Sequence, residues 1–147
     1  MGYYVSITGS DFRITPENQV LAYQAMCELN NHDELKRGGS WSGEGKTEAW
    51  FSWMPKDYPE VCKDFRAVLE ELGFYIVTMG DEIVELNYDN KTGQEDLFLN
   101  ACAPFVEDGS YIDWRGEDGD AYRFAFSNGE MKVLQGRLVF SEYGENL

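Results

Sequence analysis

Residues 105–140 read FVEDGSYIDWRGEDGDAYRFAFSNGEMKVLQGRLVF, and this stretch decides the fold. It holds three or four short strand-like runs with a turn signal between each pair. Tyr122, Phe124 and Phe126 share one face of a strand, because strand side chains alternate with a period of two. Asn128-Gly129 predicts a type I′ hairpin turn, which needs positive φ at both central residues. The stretch therefore predicts antiparallel hairpins with an aromatic face.

Helix and strand signals alternate through the rest of the chain. Thr15-Pro16 is a helix start, and Asp57 with Glu60 and Thr92 with Glu95 are capping pairs. The glycine-rich segment 36–45 reads as a flexible polar loop, and residues 74–79 read as a buried strand. The predicted helices cover residues 15–30, 57–72 and the segment from Thr92 to Pro104, and the predicted strands cover residues 2–8, 47–54, 74–79 and 82–88.

These elements predict an α+β fold. Hairpins dominate the C-terminal half, which favours a largely antiparallel sheet with about three helices packed on it. A chain of 147 residues suits one domain, because it can bury roughly 68–70% of its unfolded surface. We therefore expect one domain over residues 1–147, with residues 141–147 as a frayed tail.

Charge is the unusual global property of the sequence. The formal net charge is −15, from 27 acidic and 12 basic residues. Residues 1–56 carry seven acidic and five basic residues, whereas residues 57–147 carry 20 and seven. Such a field repels nucleic acid, whose affinity for proteins comes mostly from cations that neutralise phosphates. It attracts basic protein surfaces and speeds encounter with them, although solubility alone is the alternative explanation.

Membrane and disulfide signals are weak. No apolar run approaches the ~20 residues that a membrane helix needs, and no basic-then-apolar signal segment opens the chain. Cys27, Cys62 and Cys102 are odd in number and widely spaced, each in a helix-like pattern. Free buried thiols are typical of a reducing compartment, so we expect a cytoplasmic protein without a membrane partner.

Nucleotide and metal motifs fail on spacing. Gly45-Lys46-Thr47 lacks the first glycine of a P-loop, since Ser40 stands at that position. His32 is the sole histidine, which argues against zinc and limits Cys-His catalysis with Cys27. Residues 87–93 do not match the spacing of an EF-hand, so an ordinary turn is expected. We expect no metal and no other cofactor.

Acid catalysis keeps one candidate. Asp113 lies between Ile112 and Trp114, but strand alternation places it on the polar face, whereas a general acid usually needs an apolar surrounding. Glu117, Asp118 and Asp120 suit a solvated turn or a weakly held divalent ion. A carboxylate- or metal-dependent hydrolase therefore remains an alternative function.

Trp41 is a candidate docking residue. It lies in the glycine-rich segment, where no pattern buries it, and tryptophan is enriched at interface hot spots. Folding back as a lid on the core is the other interpretation. With Arg37 and Lys46, Trp41 also supports a further alternative, a binder of small ligands or signalling nucleotides.

The C-terminal half has motifs in common with a known group. Residues 88–93 (YDNKTG), 103–106 (APFV) and 116–120 (GEDGD) resemble small acidic proteins of uncharacterised function from bacteriophages and some bacteria. The resemblance implies a bacterial host cytoplasm and no catalytic residues. By analogy with small acidic phage products, it also implies binding to a host protein, in some cases by imitating the charge of DNA.

We therefore expect a non-enzymatic interaction module that binds a basic surface on a nucleic-acid-handling or defence protein. DNA carries one charge per about 1.7 Å of axis, so a mimic needs carboxylates in rows. The candidate contact residues are Trp41; Asp81, Glu82 and Glu85; Glu95 and Asp96; Glu107 and Asp108; and Glu117, Asp118 and Asp120.

Overall fold

The computed structural model describes residues 2–137 and 139–141, so a frayed tail from residue 142 onward lies outside the described residues. The fold is α+β, with antiparallel sheets and packed helices, as predicted. The strands are β1 Tyr4–Asp11, β2 Gly38–Ser42, β3 Gly45–Trp50, β4 Tyr75–Met79, β5 Glu82–Asn87, β6 Asp89–Lys91, β7 Tyr111–Gly116, β8 Ala121–Ser127 and β9 Glu130–Gly136. The helices are α1 Pro16–Glu28, α2 Tyr58–Val61, α3 Phe65–Leu72 and α4 Glu95–Cys102, with short 3₁₀ turns at Leu29–Asn31, Asp33–Leu35 and Ala103–Phe105.

A five-stranded antiparallel sheet forms the centre of the molecule, in the order β6-β1-β7-β8-β9. The β8–β9 turn has positive φ at Asn128 (53°) and Gly129 (76°), which confirms the predicted hairpin turn. Phe124 and Phe126 are buried and Arg123 is exposed, as the alternation requires. The hairpins of β7, β8 and β9 therefore form as the sequence indicates.

Aromatic side chains fill the core between this sheet and the helices. The Trp114 ring lies 5.5 Å from the Tyr88 and Phe124 rings and 6.1 Å from the Phe74 ring, measured between centroids. Edge-to-face and tilted contacts of this kind add to the stabilisation from buried area. The core thus joins the C-terminal hairpins to segments far away in sequence.

The predicted helix over residues 57–72 is wrong in one respect, because the chain forms two helices there. Asp64 is extended (φ −154°, ψ 178°), and its carboxylate accepts a hydrogen bond from the Ala67 amide at 2.8 Å. Asp57 makes no such bond at the start of α2. The stronger cap at Asp64 starts α3 afresh, and Gly73 ends it at φ 111°, as predicted.

The predicted flexible loop over residues 36–45 is also corrected, since most of it belongs to the β2–β3 hairpin. The Trp50 indole packs against Gly38, where a Cβ would lie 2.2 Å from the indole Nε1. Only glycine leaves room for the ring at this position. The glycines therefore serve a tight strand pairing, and the strand predicted at 47–54 ends at Trp50.

Candidate functional site

The outward face of the β4–β5 hairpin carries three exposed side chains of apolar character in a row. Tyr75 is 71% exposed, Val77 38% and Met79 75%, and we call these three residues the β4 stripe. The prediction of β4 as a buried strand is therefore wrong for one of its faces. On β5, the inward residues Ile83 and Leu86 are fully buried, so the hairpin cannot turn its other face outward.

Strand β5 fixes this hairpin to the rest of the molecule. The Phe12 amide donates to the Val84 carbonyl at 2.9 Å, and the Leu86 amide donates to the Ser10 hydroxyl at 3.0 Å. Strand β4 pairs with β5 alone among the described strands, so its far edge is open. The β4 stripe is consequently held on a firm support at an unpaired sheet edge.

Acidic side chains border the β4 stripe. Glu85 is paired with Val77 and Glu82 with Met79 in the β4–β5 register. Both glutamates line a shallow cleft of about 340 Å³ with Met79, Asp11 and Arg13. Aromatic and apolar residues surrounded by polar groups are typical of protein interfaces.

The segment that contains Glu107 also lies near this region, because the charge of Glu107 acts on Arg13. The Arg13 guanidinium Nε donates to Asp11 at 2.8 Å, and this contact is the main cause of its raised pKa. Glu107 and Glu82 add to the rise through their charges. We call the candidate residues of this region the first acidic patch: Asp81, Glu82, Glu85, Glu107 and Asp108.

Two members of this patch also have structural contacts. The Asp108 carboxylate accepts from the Asn128 amide at 2.9 Å and so supports the β8–β9 turn. The Asp81 backbone carbonyl accepts from the Gln19 side-chain amide at 3.1 Å. These bonds hold the patch in place, while the carboxylates of Glu82 and Glu85 make no ion pair with a described residue.

A second acidic patch consists of Glu117, Asp118 and Asp120, which follow β7, and of Asp96 on α4, whose charge acts with that of Asp120 on Tyr122. The Tyr4 amide donates to Glu117 at 2.8 Å, and the Tyr3 hydroxyl donates to Asp118. That last bond raises the pKa of Tyr3 to about 12 and lowers the pKa of Asp118. Burial raises the pKa of Tyr122 to about 12, with nearby Glu95, Asp120 and Asp96 adding to the effect.

The two patches do not form one row. Residues 107–108 precede β7 and residues 117–120 follow it, so they lie at opposite ends of this strand. Six strand residues at about 3.3 Å each separate them by roughly 20 Å. Within the described residues, no member of either patch is in an ion pair with a lysine or arginine.

Glu95 is corrected as a partner contact, because its side chain is buried at 4% exposure. Its carboxylate accepts from the Gly93 amide at 2.8 Å and from the Thr92 hydroxyl. The two residues predicted as a capping pair, Thr92 and Glu95, are therefore bonded to each other, but the prediction that Thr92 caps the helix is wrong, because α4 begins at Glu95 and its N-cap position is Gln94, which makes no side-chain capping bond. A partner at the surface cannot reach a carboxylate that is engaged at the start of α4.

Trp41 lies apart from both patches, on β2. It is 73% exposed, so it does not fold back on the core. The Lys46 ammonium lies 5.5 Å from the centre of its ring, a cation–π distance. Its exposure is consistent with docking but does not place it beside the acidic residues.

The catalytic candidates find little geometric support. The Arg123 guanidinium donates hydrogen bonds to both carboxylate oxygens of Asp113, at 2.6 and 2.9 Å. His32 pairs with Glu34 at 3.2 Å, and burial raises the pKa of the Cys27 thiol. Across residues 2–137 and 139–141, no group of three or more His, Cys, Asp or Glu side chains is arranged to hold a metal ion.

Comparison with models of known protein families, with curated proteins and with solved structures finds no match to this chain. The helices of the described segments fall short of the length and apolar character needed to cross a bilayer. The fold and the arrangement of surface groups are thus the basis for a functional proposal.

Sequence reasoning missed the β4 stripe. The run Tyr75-Ile76-Val77-Thr78-Met79 is nearly continuous in apolar character, which is typical of a strand buried on both faces. Glu82 and Glu85 are three positions apart, so regular alternation would place them on opposite faces of β5. The register shift between Val77 and Thr78 brings both beside the β4 stripe, and local alternation does not indicate such a shift.

Proposed function

We propose that this protein is a non-enzymatic interaction module that binds a basic surface of another protein. The contact surface is the β4 stripe with the first acidic patch. The observation that carries the proposal is the row of Tyr75, Val77 and Met79, exposed at an open sheet edge and bordered by unpaired carboxylates. Monomeric proteins rarely leave such a row uncovered without a use for it.

The chemistry of this surface favours a basic partner. The apolar stripe supplies buried area, while Glu82 and Glu85 attract cations and repel nucleic acid and acidic proteins. The net charge of −15 adds long-range attraction to the encounter. The resemblance of residues 88–130 to phage proteins extends the proposal to a nucleic-acid-handling or defence protein in a bacterial cytoplasm.

DNA-like charge mimicry is the stricter form of this proposal. A partner that reads DNA along its axis would have to contact both acidic patches, which lie about 20 Å apart along β7. A partner that uses the β4 stripe needs the first patch alone. Charge reversal in each patch separately therefore distinguishes the two forms.

The test is capture of partners from a bacterial lysate at low and high ionic strength. We expect E82K/E85K to abolish capture, because it reverses the charge beside the β4 stripe. The matched control is E70K/E71K, the same charge change on the exposed face of α3. Capture by E82K/E85K equal to the control, or capture that is unchanged at high salt, would contradict the proposal.

The variant D96K tests whether the partner also contacts the second acidic patch, as DNA-like charge mimicry requires. Strong loss of capture with D96K, in addition to the loss with E82K/E85K, supports contact with both patches. Capture that D96K leaves intact restricts the contact to the first patch.

A further inference from the structure

Three of the four tryptophans gather around the β2–β3 hairpin. Trp41 and Trp50 belong to the hairpin, and Trp53 follows it in a turn. Trp50 and Trp53 line an open cleft of about 450 Å³, together with Arg37, Lys91, Ser52 and Thr92. This volume lies within the range of small-molecule sites.

The cleft is positively charged in a strongly acidic protein. Arg37 and Lys91 form no ion pair with any described carboxylate. The Lys91 ammonium lies 5.9 Å from the centre of the Tyr4 ring. Most of the described lysine and arginine residues form no ion pair, so these two cations are distinguished by sharing one cleft with two indoles. Both remain available to an anionic ligand.

Backbone strain and close packing fix the aromatic side of the cleft. Trp53 has a φ of 72°, a conformation that bulky residues rarely adopt and that is enriched at ligand sites. A Cβ on Gly93 would lie 2.5 Å from the Trp53 indole nitrogen, so this ring needs a glycine beneath it. Trp50 has the same relation to Gly38. Each of the two indoles therefore packs against the backbone of a glycine, and Trp53 remains 51% exposed.

Gln94 holds the segments of the cleft together from inside. It is buried, at 2% exposure, and its Oε1 accepts from the Arg37 amide at 3.0 Å and the Ser52 amide at 3.2 Å. Its Nε2 donates to the Leu35 carbonyl at 2.7 Å. One side chain thus fixes the backbone on both sides of the cleft, which prepares the site before a ligand arrives.

We propose that this cleft binds a mononucleotide, with the base stacked on the indole of Trp53 or Trp50 and the phosphate held by Arg37 and Lys91. Base stacking on aromatic rings and charge-assisted bonds to phosphate are the interactions that these side chains offer. Glu95 and Asp96 line the groove on the other side of Arg37. Their charge disfavours a long polyanion that would extend past the cleft. This inference does not depend on the proposed docking function.

The test is titration of the full chain with AMP, GMP and UMP, followed by tryptophan fluorescence and by calorimetry. We expect saturable quenching by at least one of them. Adenosine and inorganic phosphate, each carrying half of the ligand, should bind at least about tenfold more weakly than AMP if AMP binds. R37Q and K91Q should each lower affinity about tenfold, because a charge-assisted bond to the phosphate is lost. K132Q, at an exposed lysine on β9, is the matched control and should bind as the wild type does.

Trp53→Gly supplies a second variant, because glycine adopts positive φ without strain. We expect it to keep the fold and to lose nucleotide binding, with circular dichroism as the check of the fold; if it unfolds, R37Q and K91Q decide the question. No saturable response to any of the three nucleotides would overturn the inference. The same holds for equal affinity of the wild type, R37Q and K91Q, or for binding of single-stranded oligonucleotides alone.

Discussion

At the scale of single residues, Glu95 was expected at the surface as a contact residue, and the fold buries it. The sequence places Glu95 and Asp96 side by side at the start of a helix, and charge alone does not distinguish them. In the fold, Glu95 satisfies the Thr92 hydroxyl and the Gly93 amide, and Asp96 stays exposed. The spacing of Thr92 and Glu95 indicated a contact between them, although the contact joins the Glu95 carboxylate to the segment before the helix and is not a helix cap.

The pair offers a direct comparison. We expect Glu95→Ala to lower the free energy of unfolding by about 1–3 kcal/mol, because it leaves buried hydrogen-bonding groups unsatisfied. Asp96→Ala removes an exposed carboxylate and should change the stability by less than about 0.5 kcal/mol. Urea unfolding of both variants checks the prediction. Equal stabilities would mean that the Glu95 bonds contribute nothing.

At the scale of elements, the break between α2 and α3 shows two capping signals in competition. Asp57 and Asp64 both precede helical segments, and residues 57–72 carry a continuous helical pattern of apolar residues. The side chain of Asp64 caps a helix and that of Asp57 does not. Local pattern alone cannot rank the two, because the outcome depends on how Tyr58 and Phe65 pack in the core.

This difference can be measured. Asp64→Ala should destabilise the protein by about 1 kcal/mol, as loss of a helix N-cap does. Asp57→Ala is the matched control and should have a much smaller effect, since no capping bond is lost. Chemical unfolding of both variants is the measurement. A larger cost for Asp57→Ala would contradict the assignment of the caps.

The β4 strand gives the second prediction at this scale. Tyr75→Ala and Met79→Ala should each weaken partner binding by about 1–2 kcal/mol, as truncation of an interface residue commonly does. Both side chains are more than 70% exposed, so stability should change by less than about 0.5 kcal/mol. Leu134→Ala, at a 47% exposed position on β9, is the control for a general loss of apolar surface. Binding that falls equally in all three variants would remove the β4 stripe from the contact.

At the scale of the whole molecule, charge is divided over three regions. The two acidic patches occupy opposite ends of β7, and Arg37 and Lys91 occupy the cleft beside β3. Tyrosines lie both at the charged surface and in the interior, since Tyr122 and Tyr3 lie at the second acidic patch and Tyr88 lies in the core. The folded protein therefore raises the pKa of several tyrosines, both at the surface and in the core.

Stability should consequently fall in alkali. The pKa values of Tyr3 and Tyr122 rise from 10.0 to about 12, the first through its hydrogen bond to Asp118 and the second through burial. Burial also raises the pKa values of Tyr58 and Tyr88. Because the folded state holds these protons more tightly, their contribution is complete below pH 10 and is lost as the pH rises toward 12.

Urea unfolding below and above pH 10, the ordinary tyrosine value, measures this loss. Tyr122→Phe removes one of the titrating groups, so it should make the decline less steep than in the wild type. A stability that stays level across this range would show that the folded and unfolded states ionise alike.

The sequence by itself determined the class of this protein. Alternation in residues 121–127, positive φ at Asn128-Gly129 and the cap at Thr15 are local effects, and all of them form as predicted. The excess of negative charge is likewise a property of composition. Local periodicity predicts which side chains share a face, but it does not indicate whether another element covers that face.

Tertiary structure alone decided where function can reside. It left the β4 stripe exposed, because Ile83 and Leu86 of the paired strand β5 are buried and turn the opposite face of the hairpin toward the core. It also brought Arg37 and Lys91, 54 positions apart in the chain, into one cleft with Trp50 and Trp53. These contacts depend on long-range packing between distant segments. Local sequence patterns do not indicate which distant segments will pack together.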